Sequence, residues 1–208
     1  MTVPFWKMQS VGNHFPVVRA SDVPDPSRLA IEMCEHRFGI GGDGLLVVTD
    51  RPERLRMFNP DGTEDFCGNG LRCAARWWAD RDPTLADFEV RHLDRTVRVT
   101  VEGTRIATTL GHASYAPSDL PHTLGHELFA APLGELPSAS ALSTGSAHLV
   151  AHVAEPPADF ERVSRKLEID PAFPEHVSVM WTTDEEYDLR LRIWERGVGE
   201  TFGCGSGA

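Results

Sequence analysis

With 208 residues, the chain is long enough for one large domain or two small ones, each with its own core. Its 20 Lys and Arg against 31 Asp and Glu leave a formal net charge of −11, which argues against nucleic acid or an anionic membrane surface as a partner. No apolar run nears a membrane span, the N-terminal MTVPFWKMQS lacks the regions of a signal peptide, and no two of its cysteines show CxxC spacing, so a cytoplasmic protein with reduced thiols and no metal site is expected.

Residues 3–19 read as two strands around a turn at Gly12-Asn13, with Phe5, Met8, Phe15, Val17 and Val18 at the apolar positions. Asp25 caps a helix that starts at Pro26 and runs to His36, with Leu29, Ile31, Met33 and Cys34 on its buried face. Residues 39–44, GIGGDG, form a glycine-rich loop ahead of a strand over 45–49. No Lys-Ser/Thr follows, and the order of loop then strand reverses that of a nucleotide-binding turn, so the loop is read as lying close to a substrate. Residues 54–58 form a short strand, and Asn59-Pro60-Asp61-Gly62 is a turn by composition.

The segment Cys67-Gly68-Asn69-Gly70 then leads into a helix-forming run over 71–80, in which Cys73 is read as core. Three alternating segments, 88–92, 96–101 and 105–110, predict a strand meander. Residues 112–122 carry two Pro, two Ser and little apolar pattern, which places a domain boundary there and gives halves of 1–113 and 114–208. In the second half, strands are expected over 139–144 and 148–153, joined at Gly145-Ser146-Ala147, and a helix opened by Asp159 over 158–168. A hairpin of 177–182 and 187–194 follows and runs into Cys204-Gly205-Ser206-Gly207. A second helix is expected to start here, at Ala208. Each half therefore runs strands, helix, strands, CGxG, and the halves are read as a structural repeat.

The duplicated CGxG carries the chemistry. Glycines let the backbone approach a ligand, and the first amides of a helix lack intrahelical partners and so suit an anion. The same partial positive charge favours a thiolate over a thiol. Two such sites facing each other would supply two activated thiols and two amide cradles, which suits removal of a proton beside a carboxylate on one face and its return on the other. Acidic residues precede both motifs, Glu64 and Asp65 before the first, Glu195 and Glu200 before the second.

The pieces KMQSVGNHFPVV, HRFGIGGDGLLVV, FNPDGTEDFCGNGLRC, GSAHLV and ERGVGETFGCGSGA, in this order, resemble the signature segments of the diaminopimelate epimerase family from one end of the chain to the other. The resemblance implies an α+β fold of two pseudo-symmetric domains, each a curved mixed β-sheet wrapped around a central helix, with the site in the cleft between them. It implies an amino acid epimerase or racemase that works without pyridoxal phosphate or any other cofactor, with Cys67 and Cys204 as acid and base. Asn13, Asn59, Gly68, Asn69, His148, Glu195, Arg196, Gly205 and Ser206 match family positions around the substrate, Arg196 as the clamp on the distal carboxylate. Ser146 and Ser178 stand where the family carries asparagines that read the distal end of diaminopimelate. LL-diaminopimelate is therefore the first expected substrate, and another amino acid, one bound for secondary metabolism included, the second. A non-catalytic amino acid-binding relative is a third reading. A phenazine-biosynthesis isomerase is a further one, against which the paired cysteines argue. A small-molecule amino acid substrate is the expected partner, and a homodimer is compatible with the resemblance. Family members continue past the second motif, so the sequence is expected to be a fragment that ends early at Ala208.

Overall fold

The computed structural model describes residues 2–186 and 188–207. Tyr187 and Ala208, expected in a strand and at a helix start, lie outside the described residues. Two compact units divide at Leu110 and Gly111.

In the first unit, β1 (Trp6–Ser10) and β2 (Asn13–Arg19) form an antiparallel hairpin. Its turn is Val11-Gly12, both at positive φ (52° and 88°), and Asn13 opens β2 instead of lying in the turn. α1 (Pro26–Cys34) crosses over to β3 (Leu45–Val48), which pairs parallel with β2. Asp25 caps α1 as expected, accepting a hydrogen bond from the Arg28 amide at 3.2 Å. The buried face of α1 is Ala30, Met33 and Cys34, not the expected set. Leu29 is half-buried and Ile31 is 50% exposed, because the helical period turns position 31 away from the sheet.

β4 (Arg54–Phe58) returns antiparallel beside β3, and β5 (Glu64–Asp65) pairs back on β4. α2 (Gly68–Ala79) follows. Then β6 (Asp87–His92), parallel to β4, leads the antiparallel pair β7 (Arg95–Glu102) and β8 (Arg105–Thr108), which completes an eight-stranded mixed sheet. β3 is buried on both faces. Leu46 and Val48 join the cluster around α2, while Leu45 and Val47 join the one under α1. α2 has a broad apolar face, Leu71, Cys73, Ala74, Ala75, Trp77 and Trp78, and all six are buried.

The second unit is a six-stranded mixed sheet. It contains β9 (Ala131–Leu133), β10 (Leu136–Ser143), β11 (Ala147–His152), α3 (Phe160–Glu168), β12 (Ser178–Asp184), β13 (Leu189–Glu195) and β14 (Gly199–Thr201). β10 and β11 are antiparallel, β11 and β12 parallel across α3, and β12, β13 and β14 antiparallel in turn. That is the pairing sequence of β1 through β5 with α1 as crossover. The repeat extends to side chains. Arg56 on β4 grips Glu64 on β5 at 2.8 and 2.6 Å, and Arg192 on β13 grips Glu200 on β14 at 2.7 and 3.0 Å. Surface pairs of this kind contribute at most about 1 kcal/mol each, so they record the shared plan more than they stabilise it. α3 packs on the face of Val179, Trp181 and Trp194 through Phe160, and the Trp181 indole N–H donates to Ser164 Oγ at 2.9 Å. The opposite face carries Met180, Ile193 and Cys204. No described helix is long and apolar enough to cross a membrane.

Candidate active site

Cys67 is the N-cap of α2. The chain reaches it from β5 with extended dihedrals (φ −140°, ψ 109°), and its Sγ accepts the Gly70 amide at 3.2 Å. Glycine fits best at 70, because a Cβ there would come within 2.8 Å of Leu46 Cδ2 and 3.4 Å of Sγ, so a larger residue would push on the core. At Gly68 a Cβ would meet only Leu110, at 3.9 Å, an ordinary contact. Asn69 is buried and joins the motif to β2, donating from Nδ2 to Asn13 Oδ1 at 3.0 Å. Its own Oδ1 accepts from Arg72, whose Nε reaches Ser10 Oγ at 3.0 Å. The glycine-rich loop is tied to the same strand, with Asp43 accepting the His14 amide at 2.7 Å and donating its own amide to the His14 carbonyl at 2.8 Å. Asn59 turns onto its own loop, its Nδ2 donating to Thr63 Oγ1 at 3.0 Å.

His92 was not among the residues expected in the site, yet it lies directly behind Cys67. The Cys67 amide donates to its Nε2 at 3.0 Å, and its Nδ1 is 3.1 Å from the Leu55 carbonyl oxygen. Phe66 stacks on its ring at 4.8 Å. Burial depresses its pKa to about 4, so the ring is neutral at neutral pH. The sequence holds one clue. Phe88, Val90 and His92 share the alternation of β6, and a histidine at an inward position needs buried partners.

In the second unit the predicted residues form a chain. The Cys204 thiol lies 3.4 Å from Ser206 Oγ, Ser206 Oγ accepts from Ser146 Oγ at 3.0 Å, and Ser146 Oγ lies 3.0 Å from His148 Nε2. The Ser206 carbonyl is pinned by Thr144 Oγ1 at 2.6 Å. His148 is 1% exposed, and its pKa is depressed to about 4, first by burial and then by the Arg196 charge. Its Nδ1 is buried with no hydrogen-bond partner among the described residues. A Cβ at Gly207 would lie 3.2 Å from that nitrogen, so the glycine backbone packs closely over the ring. Burial raises the Cys204 pKa and Glu195 raises it further, while the Ser206 hydroxyl and the amides of Gly207 and Ser206 work against both. Gly205 lies in the turn, half-buried.

The Glu195-Arg196-Gly197 turn is held from beneath by Glu168, a second residue that sequence reading missed. Its two oxygens accept the Gly197 amide at 2.9 Å and the Trp194 indole N–H at 2.7 Å. Glu168 shares the buried face of α3 with Phe160 and Ser164, four and eight residues apart, which is the pattern that could have found it. Glu195 accepts from Thr201 Oγ1 at 2.6 Å. Ser178 accepts the Arg196 amide at 3.0 Å, so this hydroxyl serves the turn itself, and the Arg196 guanidinium extends to the Glu175 carbonyl at 2.9 Å. The other two cysteines are core residues. Burial pushes Cys34 to about 11 and Cys73 to about 12, which keeps both as thiols.

A model of the family described as diaminopimelate epimerase matches residues 5–116. A diaminopimelate epimerase of Microcystis aeruginosa is 32% identical over 235 residues, spanning 100% of this chain and 81% of that protein. One from Moorella thermoacetica is 35% identical over 225 residues, spanning 98% of this chain and 80% of that one. Among solved structures, a phenazine biosynthesis PhzF family protein of Enterococcus faecalis superimposes with a TM-score of 0.61 at 16% identity, over 99% of this chain and 79% of its own. A hydroxyproline epimerase of Agrobacterium vitis, with trans-4-hydroxy-L-proline bound, gives 0.61 at 12% identity, over 95% and 71%. At such identities these structures speak to the fold alone.

Proposed function

The chain belongs to the diaminopimelate epimerase family of isomerases, and from that premise we propose a cofactor-independent amino acid epimerase that inverts an α-carbon with Cys67 and Cys204 as its acid and base. The carrying observation is the pair of motif geometries. Cys67 caps α2 with its sulfur on the Gly70 amide, and Cys204 sits on a turn with its sulfur against Ser206.

The α-proton of an amino acid is too weakly acidic for a side chain to remove at neutral pH unless the carbanion is stabilised. In this reading the amides that follow each cysteine bind the α-carboxylate as it gains charge toward an enediolate. One thiolate takes the α-proton, its electron pair moves into the carboxylate, and the opposite thiol returns a proton to the other face. The carboxylate re-forms, the two thiols have exchanged protonation states, and the centre is inverted. Removing one such amide donor from an oxyanion site typically costs about a hundredfold in rate, so the glycine-rich turns contribute to the reaction beside the sulfurs. The raised pKa of Cys204 suits it to hold the proton in the resting enzyme.

The first substrate is LL-diaminopimelate, converted to the meso form for lysine and cell-wall synthesis. A racemase of another amino acid is favoured by one observation. Ser146 and Ser178, at the positions of two substrate-reading asparagines in the sequences the chain resembles, spend their hydroxyls within the protein, on Ser206 and His148 and on the Arg196 amide. Turnover of LL-diaminopimelate against a panel of amino acids with a single α-centre decides the matter. Preference for diaminopimelate supports the first reading, preference for another amino acid the second, and binding without exchange of the α-proton a non-catalytic role.

A further inference from the structure

His92 is 0% exposed, lies outside both cysteine motifs, and bridges two backbone groups far apart in sequence. The parallel pairing of β4 with β6 sets Leu55 opposite His92, and the ring spans from the Leu55 carbonyl to the Cys67 amide. The hydrogen-bond roles follow from the partners. A carbonyl oxygen can only accept, so Nδ1 carries the proton. An amide can only donate, so Nε2 is bare. The ring is therefore held as one neutral tautomer, closed in by Phe66 stacked on one face, with the charges of Glu64 and Asp65 on β5 and of Arg95 on β7 around it. The amide it receives belongs to the N-cap residue of α2, a position whose N–H has no place in the helix ladder.

We propose that His92 is a positioning residue for the reaction: its bare Nε2 fixes the Cys67 amide and thereby aims the Cys67 sulfur along the start of α2. This rests on the reading of Cys67 as an acid–base group. Rotation of the Cys67 peptide would swing Sγ away from the Gly70 amide, so the histidine secures the sulfur without touching substrate. An imidazolium could not accept the amide, so the device works only with the ring neutral.

Two substitutions separate this role from simple core filling. His92→Asn has a donor near the Nδ1 position for the Leu55 carbonyl but does not reach Cys67. His92→Gln places an amide oxygen near the Nε2 position and can take the Cys67 N–H. The expected result for His92→Asn is a fall in kcat of about tenfold to a hundredfold, as for a buried donor left unpaired at a reacting group, with KM nearly unchanged and with slower iodoacetamide alkylation of Cys67 relative to Cys204, read by peptide mass spectrometry. His92→Gln should retain most of the activity and the wild-type alkylation ratio. In the wild-type protein, nitrogen-15 NMR of the His92 ring should show protonated Nδ1 and bare Nε2 at neutral pH, a measurement that stands even where a variant fails to fold. An Nε2-protonated ring, or Asn and Gln variants of equal kcat and equal alkylation ratio, overturns the proposal. If Cys67→Ser turned over normally, the acid–base reading would fail by itself, while the tautomer and the alkylation ratio would still report on the anchor.

Discussion

In the first unit Cys67 heads a twelve-residue helix whose apolar face fills one side of the sheet, in a cluster of fifteen buried residues. In the second, among the described residues, Cys204 sits on a turn against Met180 and Ile193. The strands beneath the two cysteines pair in the same sequence, down to the Arg56–Glu64 and Arg192–Glu200 grips. The shared plan therefore delivers each cysteine to the same place on its sheet, and what differs is the support each sulfur receives. Cys67 takes a backbone amide and its peptide is anchored by His92. Cys204 takes the amides of Ser206 and Gly207 and, in addition, a serine hydroxyl that is itself ordered by Ser146 and His148. One plan can thus hold two thiols in different surroundings, while the proton exchange itself requires one of the pair as thiolate and the other as thiol.

The largest effect that would sharpen this contrast is in packing. Trp77→Ala removes a side chain that is 1% exposed at the centre of the α2 cluster, and should cost about 3–5 kcal/mol. That is a large part of a typical stability of about 5–15 kcal/mol. Met180→Ala, in the smaller cluster under Cys204, should cost about 2 kcal/mol, the low end for such truncations. Urea unfolding of the two variants checks the order, and equal losses would mean that the two faces are equally well packed.

Next comes acid. Both His92 and His148 have pKa values depressed to about 4 from 6.5, so between those values the unfolded chain binds protons that the folded chain refuses. Their contribution to stability is complete above pH 6.5 and is lost as the pH falls toward 4, on the order of 3 kcal/mol for each. Unfolding midpoints across that window should fall for the wild-type protein and fall less for His92→Gln. A flat profile would contradict the buried neutral rings.

The smallest effect separates the two glycine turns. Gly70→Ala drives a methyl to 2.8 Å from Leu46 Cδ2 in the packed core, and an overpacked core typically costs about 1–3 kcal/mol. Gly207→Ala meets the Met180 tail at 2.4 Å, but that tail can rotate away, so the cost there should stay below about 1 kcal/mol. Thermal melts should rank them in that order.

Much of this was legible in the sequence. The apolar positions of β2 and β4, the alternation of β6, the Asp25 cap and the repeated order of elements follow from local patterns. The short strands β5, β9 and β14, of two or three residues each, carry too little pattern to read. In the site, the cysteines and their flanking residues announce themselves because the motif is local and doubled. His92 and Glu168 do not, because what they do is set by partners 25, 26, 29 and 37 positions away. Ser146 and Ser178 could be located by position, but only the structure shows that their hydroxyls face inward to Ser206, His148 and the Arg196 amide.

The central claim is that two sulfurs share one inversion. It is tested most directly by following the α-proton of LL- and meso-diaminopimelate and a panel of other amino acids by NMR in heavy water, under reducing conditions, for the wild-type protein and for Cys67→Ser and Cys204→Ser. The account predicts α-deuteration with inversion in the wild type for one amino acid, and loss of inversion in each single variant. Near-normal inversion in both variants would contradict it.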